Sequence, residues 1–156
     1  MKLLLVCLGN ICRSPMAEGI FRQLTAKREL MWEIDSAGTA DYHVGEPPDR
    51  RAQRASAELG IAIGDLRARQ VKEADFSHFD WILAMDGDNL RRLQALAGEN
   101  CKARLGLLRD PFLQHPMALE IADPYWGNLD DFLACAKQVR QAAEAFLQSF
   151  SESEKQ

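Results

Sequence analysis

The chain has 156 residues, of which 47% are hydrophobic and 27% are charged, and its formal net charge is −4 at pH 7. This length and composition are typical of one globular domain and unlike those of an intrinsically disordered protein. The weak negative charge gives no reason to expect nucleic acid or an anionic membrane as a partner, so an anion site would have to be built locally.

The first predicted elements are a strand and a helix joined by a short polar loop. The apolar run at residues 3–6 predicts a buried strand, and Gly9 and Asn10 then turn the chain. Ser14 and Pro15 read as the N-cap and the first position of a helix, which continues as an apolar stripe at helical spacing.

Strands and helices continue to alternate along the chain. A second strand is predicted at residues 33–38 and a loop at 39–48, followed by a helix that Gly60 stops. The apolar run at residues 81–84 predicts a third strand, and residues 104–108 predict a fourth.

The order of these elements predicts the fold. Asp86 is the predicted N-cap of a helix after the third strand, and Asn128 is that of the last helix. Alternation of strands and helices indicates a three-layer α/β fold, with a central four-stranded parallel sheet and helices on both faces. Residues 1–150 are predicted to form a single domain, and residues 151–156 a polar, frayed tail.

The N-terminal apolar run is too short for a signal peptide, and no segment approaches the roughly 20 apolar residues of a membrane span. We therefore expect a cytoplasmic protein without membrane insertion. The thiols of a cytoplasmic protein are expected to be reduced. A structural zinc site is not expected, because the chain has no C-x-x-C pair and only 3 histidines. The cysteines are Cys7, Cys12, Cys101 and Cys135.

The loop between the first strand and the first helix carries the predicted chemistry. It lies at the carboxyl end of a parallel strand, where α/β proteins bind ligands. Its N–H groups and the helix N-terminus form an anion-binding nest, and Gly9 and Asn10 suit the positive φ angles of such a curl. Arg13 adds a planar fork of donors for phosphate oxygens. The segment reads Cys7-Leu8-Gly9-Asn10-Ile11-Cys12-Arg13-Ser14.

A thiol at the mouth of this nest is expected to be a nucleophile. The N–H donors, the helix N-terminus and the hydroxyl of Ser14 favour the thiolate form of Cys7, which is the reactive form. Taken alone, Cys7 would more often be a buried core cysteine, and Arg13 would more often be a surface arginine. Their spacing around one tight loop favours a nucleophile aimed at a bound phosphate.

Together with further motifs, this loop resembles that of the low-molecular-weight protein tyrosine phosphatases, and the resemblance covers nearly the whole chain. Members carry, near the N-terminus, a Cys, five residues, an Arg and then Ser or Thr. The first and last of the matching motifs are specific to the family. After the loop, the motifs are Asp35-Ser36-Ala37-Gly38-Thr39, Pro48-Asp49, Ala68-Arg69-Gln70, residues 79–86 with Asn89, and Asp123-Pro124-Tyr125-Trp126-Gly127.

The resemblance implies a catalytic set. Cys7 would form a phosphocysteine intermediate, Arg13 would clamp the phosphoryl oxygens, and Ser14 would stabilise the departing thiolate. Asp123 would be the general acid that protonates the leaving phenolate and then activates water. The phosphate charge is met by N–H groups and Arg13, so neither a metal nor a cofactor is expected.

The resemblance also implies supporting and selecting residues. Asn10 and Ser36 would hold the loop in shape. Ile11 favours phosphotyrosine over phosphoarginine, because the related protein-arginine phosphatases carry Thr at this point. Cys12 would be a redox residue that pairs with oxidised Cys7 and protects it. The walls of an aryl-phosphate slot would be Tyr42, His43, Tyr125 and Trp126.

Three positions depart from the family pattern. Leu66 stands where many members have a histidine that supports the loop, and Arg50 replaces a frequent proline. Trp126 replaces the second tyrosine of a Tyr-Tyr pair. The expected partner is a phosphotyrosine protein, for example a tyrosine kinase, and the expected state is a monomer or weak dimer.

Two other functions stay open at this point. A thiol-dependent arsenate reductase resembles this family in fold and loop, but it needs a cysteine relay that the spacing of Cys101 and Cys135 does not suggest. A non-catalytic phosphotyrosine-binding module belongs to another class. Such a module would need neither the nucleophile Cys7 nor the acid Asp123.

Overall fold

In a computed structural model that describes residues 1–153, strands and helices alternate around one sheet. The four strands are all parallel, in the order β2-β1-β3-β4. The predicted α/β fold with a four-stranded parallel sheet is confirmed. The elements are β1 (Lys2–Cys7), α1 (Arg13–Lys27), β2 (Glu33–Gly38), α2 (Arg50–Glu58), α3 (Asp75–His78), β3 (Trp81–Ala84), α4 (Gly87–Leu96), β4 (Arg104–Leu107) and α5 (Leu129–Ser153).

Helices cover both faces of the sheet because β1 is apolar on both sides. Successive side chains of a strand point to opposite faces. Leu3 and Leu5 pack in a core cluster with α1, α2 and α5. Leu4 and Val6 pack in a second cluster with side chains of α3 and α4. None of the helices in residues 1–153 is long and apolar enough to cross a membrane.

The central place of β1 brings distant loops together. Cys7, its last residue, pairs in register with Gly38 of β2, and Val6 pairs with Ala84 of β3. The segments that leave these parallel strands emerge at the same edge of the sheet. The loop after β1 therefore lies beside the segment that follows β3.

The predicted N-cap role of Ser14 is wrong. Helix α1 begins at Arg13, and Cys12 occupies the N-cap without a side-chain capping bond. The hydroxyl of Ser14 instead lies 2.9 Å from Sγ of Cys7. The hydroxyl of Ser14 therefore bonds the thiol of Cys7 instead of capping the helix.

The predicted positive φ is confirmed for Asn10, at 57°, but is wrong for Gly9. The lack of a side chain at Gly9 instead leaves room for the His43 ring, because a Cβ at this position would lie 2.9 Å from Cδ2 of His43. A contact that close would force the loop and the His43 ring apart.

The predicted caps of the later helices are confirmed. Asp86 accepts a hydrogen bond from the backbone N–H of Asn89 (2.8 Å). Asn128 and Asp131 bond each other's backbone N–H groups reciprocally. The short helix α3 was not predicted. Helix α5 continues to Ser153, into the segment predicted as a frayed tail, and residues 154–156 lie outside the described part of the chain.

Candidate active site

A cleft of about 250 Å³ opens at the carboxyl edge of the sheet, directly over Cys7. It brings together Cys7, the phosphate loop (residues 8–13), Asp123 and all four predicted wall residues. Ser14 lies beneath the loop and is fully buried. The lining residues are Cys7, Leu8, Gly9, Ile11, Cys12, Arg13, Tyr42, His43, Asp123, Tyr125 and Trp126.

The hydroxyl of Ser14 is directed at the thiol by its neighbours. Nδ2 of Asn10 donates to Oγ of Ser14 (2.8 Å), so this oxygen is already an acceptor. Sγ of Cys7 at 2.9 Å is a nearer partner for its proton than the carbonyl of Ala37 at 3.5 Å, and when Cys7 is a thiolate only the hydroxyl can donate in that contact. The amide of Asn10 cannot be reversed, because its Oδ1 accepts from the backbone N–H of Arg69 (3.0 Å).

This chain of hydrogen bonds ends on a buried carboxyl that sequence reasoning missed. Asn10 also donates to Oγ of Ser36 (3.0 Å), whose proton goes on to Oε1 of Glu18 (2.7 Å). Burial raises the pKa of Glu18, and the bonds from Ser36 and Arg22 partly offset that rise. No local pattern singled out this acid, because its helical neighbours Ser14 and Arg22 are polar as well.

Arg13 is buried, and hydrogen bonds from its Nη1 hold the guanidinium in place. Its Nη1 donates to Oδ2 of Asp86 (2.7 Å) and to the carbonyl of Ile121 (2.9 Å). Burial acts to lower the pKa of Arg13, but the negative charges of Cys7, Asp86 and Asp123 outweigh burial and raise it. Arg13 therefore stays a cation in a fixed plane. The sequence indicated Asp86 only as a helix cap, and its second role depends on this contact.

Asp123 stands across the cleft from the phosphate loop. Its Oδ2 lies 3.5 Å from Nη2 of Arg13, and its side chain is 41% exposed. Its Oδ1 accepts from the backbone N–H of Tyr125 (3.1 Å), which curls the chain around the carboxyl. A carboxyl in this place faces both solvent and the phosphate-binding arginine.

The predicted wall residues form the mouth of the cleft rather than a closed slot. Tyr42 is 71% exposed and Trp126 is 92% exposed. Tyr125 is half-buried and meets the ring of Trp126 edge to face, at 4.9 Å between ring centroids. Nδ1 of His43 lies 2.6 Å from Oε2 of Glu46. The rings of Tyr42 and Trp126 therefore stand open to solvent at the mouth of the cleft.

The other cysteines differ in their surroundings. Cys12 is a buried residue of the phosphate loop, and burial raises the pKa of its thiol, with Asp49 and then Cys7 adding to the effect. Cys135 is buried on α5, where burial raises its pKa to about 12. Cys101 packs against the opposite core cluster. Burial therefore favours the protonated form of the Cys12 and Cys135 thiols over the thiolate.

Comparisons with known proteins agree with this geometry. The family model described as low molecular weight phosphotyrosine protein phosphatase matches residues 2–156. A protein of that name from Gallus gallus is 46% identical over 153 residues, which covers 94% of each chain.

Solved structures of similar proteins have the same fold. A protein tyrosine phosphatase from Entamoeba histolytica, with Hepes in its active site, aligns with a TM-score of 0.89 at 35% identity over 99% of each chain. A Drosophila arginine phosphatase aligns with a TM-score of 0.86 at 34% identity, over 96% of this chain and 98% of its own. The chain therefore has the fold of these solved phosphatases and aligns with nearly the whole of each.

Proposed function

Because the chain belongs to the low-molecular-weight phosphotyrosine protein phosphatase family, we propose that it hydrolyses phosphotyrosine through a phosphocysteine intermediate on Cys7. One observation carries the mechanism. The thiol of Cys7, the buried guanidinium of Arg13 and the carboxyl of Asp123 share one cleft, and the hydroxyl of Ser14 lies 2.9 Å from the sulfur. This is the set that attack on phosphorus and protonation of a leaving group require.

In the first half-reaction the thiolate of Cys7 attacks phosphorus, and the bond from phosphorus to the phenolic oxygen breaks. Arg13 offers Nε and Nη2 to the phosphoryl oxygens, since its Nη1 is held by Asp86 and Ile121. The loop N–H groups bind the same oxygens. Asp123 donates its proton to the departing phenolic oxygen and becomes a carboxylate.

In the second half-reaction water attacks phosphorus and Asp123 takes up one of its protons. The bond from sulfur to phosphorus breaks, and Cys7 leaves as a thiolate that accepts the hydrogen bond of Ser14. Inorganic phosphate is released. One carboxyl serves both steps because it gives one proton to the phenol in the first and regains another from water in the second.

No metal is needed in this scheme. The phosphoryl charge is met by Arg13 and the loop N–H groups, and the leaving group is met by Asp123. In residues 1–153, no group of three His, Cys, Asp or Glu side chains could hold a metal ion. The pairing of the phosphoryl charge with Arg13 and the loop N–H groups is what supports metal-independent turnover.

The proposed substrate is a protein-borne phosphotyrosine, such as that of a tyrosine kinase, met in the cytoplasm. The exposed rings of Tyr42 and Trp126 at the mouth of the cleft suit an aryl phosphate carried on a protein. Ile11 lines the cleft and offers no hydroxyl to a guanidino phosphate. We therefore expect phosphotyrosine to be preferred over phosphoarginine, despite the likeness to an arginine phosphatase.

The test is hydrolysis of p-nitrophenyl phosphate in EDTA, followed by phosphotyrosine, phosphoserine and phosphoarginine peptides of one sequence. We expect metal-independent turnover of the aryl ester and of the phosphotyrosine peptide above the other two. A folded protein that binds phosphotyrosine without turnover would support a binding module, and turnover of arsenate alone would support a reductase. Either result would contradict the proposal.

We propose that Cys12 protects Cys7 by forming a disulfide with it after oxidation. Cys12→Ser is expected to keep most of its activity under reducing conditions, because burial keeps the Cys12 thiol protonated. After a peroxide pulse and then dithiothreitol, the variant should recover clearly less activity than the wild type, since oxidised Cys7 goes on to irreversible acids. Equal recovery in the two proteins would exclude this role. Cys101→Ser is the matched control.

We propose that Asn10 and Ser36 support the phosphate loop, with Glu18 as the final acceptor. The folded protein holds the Glu18 proton more tightly than the unfolded chain, because burial raises its pKa above the ordinary 4.5. This contribution to stability is complete below pH 4.5 and is lost as the pH rises through the raised pKa.

Urea denaturation of wild type and Glu18→Gln across this pH range tests the prediction. The free energy of unfolding of the wild type relative to the variant should fall as the pH rises, because glutamine does not titrate. A difference that stays constant with pH would show that Glu18 has the same proton affinity in both states.

A further inference from the structure

The position of the general acid depends on a loop that makes few hydrogen bonds to the rest of the described chain. At the start of this acid loop (residues 122–127), the backbone N–H of Ile121 donates to the carbonyl of Met85 (2.8 Å). Within the loop, Asp123 accepts from the backbone N–H of Tyr125. That bond shapes the loop without fixing its distance from the phosphate loop.

Arg51 makes a hydrogen bond to the acid loop from outside it. Its Nη1 donates to the carbonyl of Gly127 (2.8 Å). Across residues 1–153, this is the one hydrogen bond that another element makes to residues 122–127. The contact between Arg13 and Asp123, at 3.5 Å, is a longer ion pair.

Arg51 is held in turn by the segment beside the phosphate loop. Its Nε and Nη2 donate to the two carboxylate oxygens of Asp49 (3.0 and 2.9 Å), and the hydrogen bond from Arg51 lowers the pKa of Asp49. The backbone N–H of Asp49 donates to the carbonyl of Ile11 (2.8 Å). A continuous series of hydrogen bonds therefore runs from the phosphate loop, through Asp49 and Arg51, to Gly127.

Two aromatic rings fix the plane of this guanidinium. Its Cζ lies 4.4 Å from the ring centroid of Phe132, which is fully buried on α5, and 5.7 Å from that of Tyr125. A planar fork can bond Asp49 and Gly127 and still stack on a ring, whereas the point charge of a lysine cannot satisfy all three.

We propose that Arg51 is a positioning residue that sets the distance between the acid loop and the phosphate loop. It holds the carboxyl of Asp123 where it can protonate the leaving oxygen. The inference rests on the proposed function, because it needs Asp123 as the general acid. Arg51 acts through its contacts with Gly127 and Tyr125 and not on the reacting atoms themselves.

A residue that acts through the general acid has a distinctive kinetic signature. Esters of phenol need protonation of the leaving oxygen more than esters of p-nitrophenol, whose anion is stable. Arg51→Ala should lower kcat/KM for phenyl phosphate by about tenfold or more, since a misplacement of about 1 Å can cost about 10²-fold. For p-nitrophenyl phosphate the loss should be several times smaller.

The experiment measures kcat/KM over a series of aryl phosphates that differ in leaving-group pKa, for wild type, Arg51→Ala, Asp123→Asn and the double variant. The dependence on leaving-group pKa should be steepest in Asp123→Asn and intermediate in Arg51→Ala. Adding Arg51→Ala to Asp123→Asn should change the rate by less than about twofold, because the acid is already absent. Inhibition by inorganic phosphate should stay near that of the wild type.

Arg50→Ala is the matched control, since it removes the same charge from an exposed neighbour and should keep the wild-type slope. If Arg51→Ala does not fold, Arg51→Lys is used for the same comparison. Equal losses for all leaving groups, or a full further loss on top of Asp123→Asn, would overturn the role of Arg51. A wild-type slope in Asp123→Asn would instead contradict the proposed general acid, and absence of turnover in the wild type would contradict the proposed function.

Discussion

Cys7→Ser is expected to lower kcat/KM for p-nitrophenyl phosphate by about 10⁴-fold or more, because removal of a catalytic nucleophile typically has an effect of at least this order. A hydroxyl at position 7 would keep a hydrogen-bonding partner in Ser14, which now lies 2.9 Å from the sulfur. It would not ionise in the nest as a thiol does, and it would be a much poorer leaving group in the second half-reaction.

Phosphate binding should survive this substitution. The loop N–H groups and Arg13 are unchanged, and Arg13 keeps its bonds to Asp86 and Ile121. We therefore expect calorimetry with inorganic phosphate to give an affinity no lower than that of the wild type. Cys101→Ser is the matched control, because Cys101 packs against the opposite core cluster, and it should be fully active. Residual turnover above about 1% in Cys7→Ser would place the nucleophile elsewhere.

Asp123→Asn is expected to lower kcat/KM for phenyl phosphate by about 10²–10⁴-fold, which is the usual range for a general acid. The loss should be smaller for p-nitrophenyl phosphate, whose leaving anion needs less help. The shape of the pH profile should also change. The wild-type rate must fall as the pH rises and Asp123 loses the proton that it donates, and the variant has no such proton to lose.

The control for this prediction is Asp130→Asn, which removes one negative charge from an exposed position in the first turn of α5. It should keep both the rate and the falling limb of the profile. Persistence of the falling limb in Asp123→Asn would remove Asp123 from the role of acid. A loss of equal size in Asp130→Asn would indicate a general effect of charge on the cleft.

The sequence by itself determined the features that depend on neighbours along the chain. The apolar runs at residues 3–6 and 81–84 predicted buried strands because a strand covered on both faces has no polar side. Asp86 was identified as a helix cap because capping uses an N–H three residues away. The loop from Cys7 to Ser14 predicted a phosphate site because strand, nest and helix follow each other within eight residues.

The tertiary structure alone decided which distant groups meet. Hydrophobic periodicity shows which face of a helix is buried, but it does not show what that face touches. Glu18 therefore looked like an ordinary helix residue until the fold placed Ser36 against it. The bond from Arg13 to Asp86 spans 73 positions and that from Arg51 to Gly127 spans 76, so no local pattern encodes either of them. Both depend on the sheet order and helix packing, which bring separate loops to one edge of the sheet.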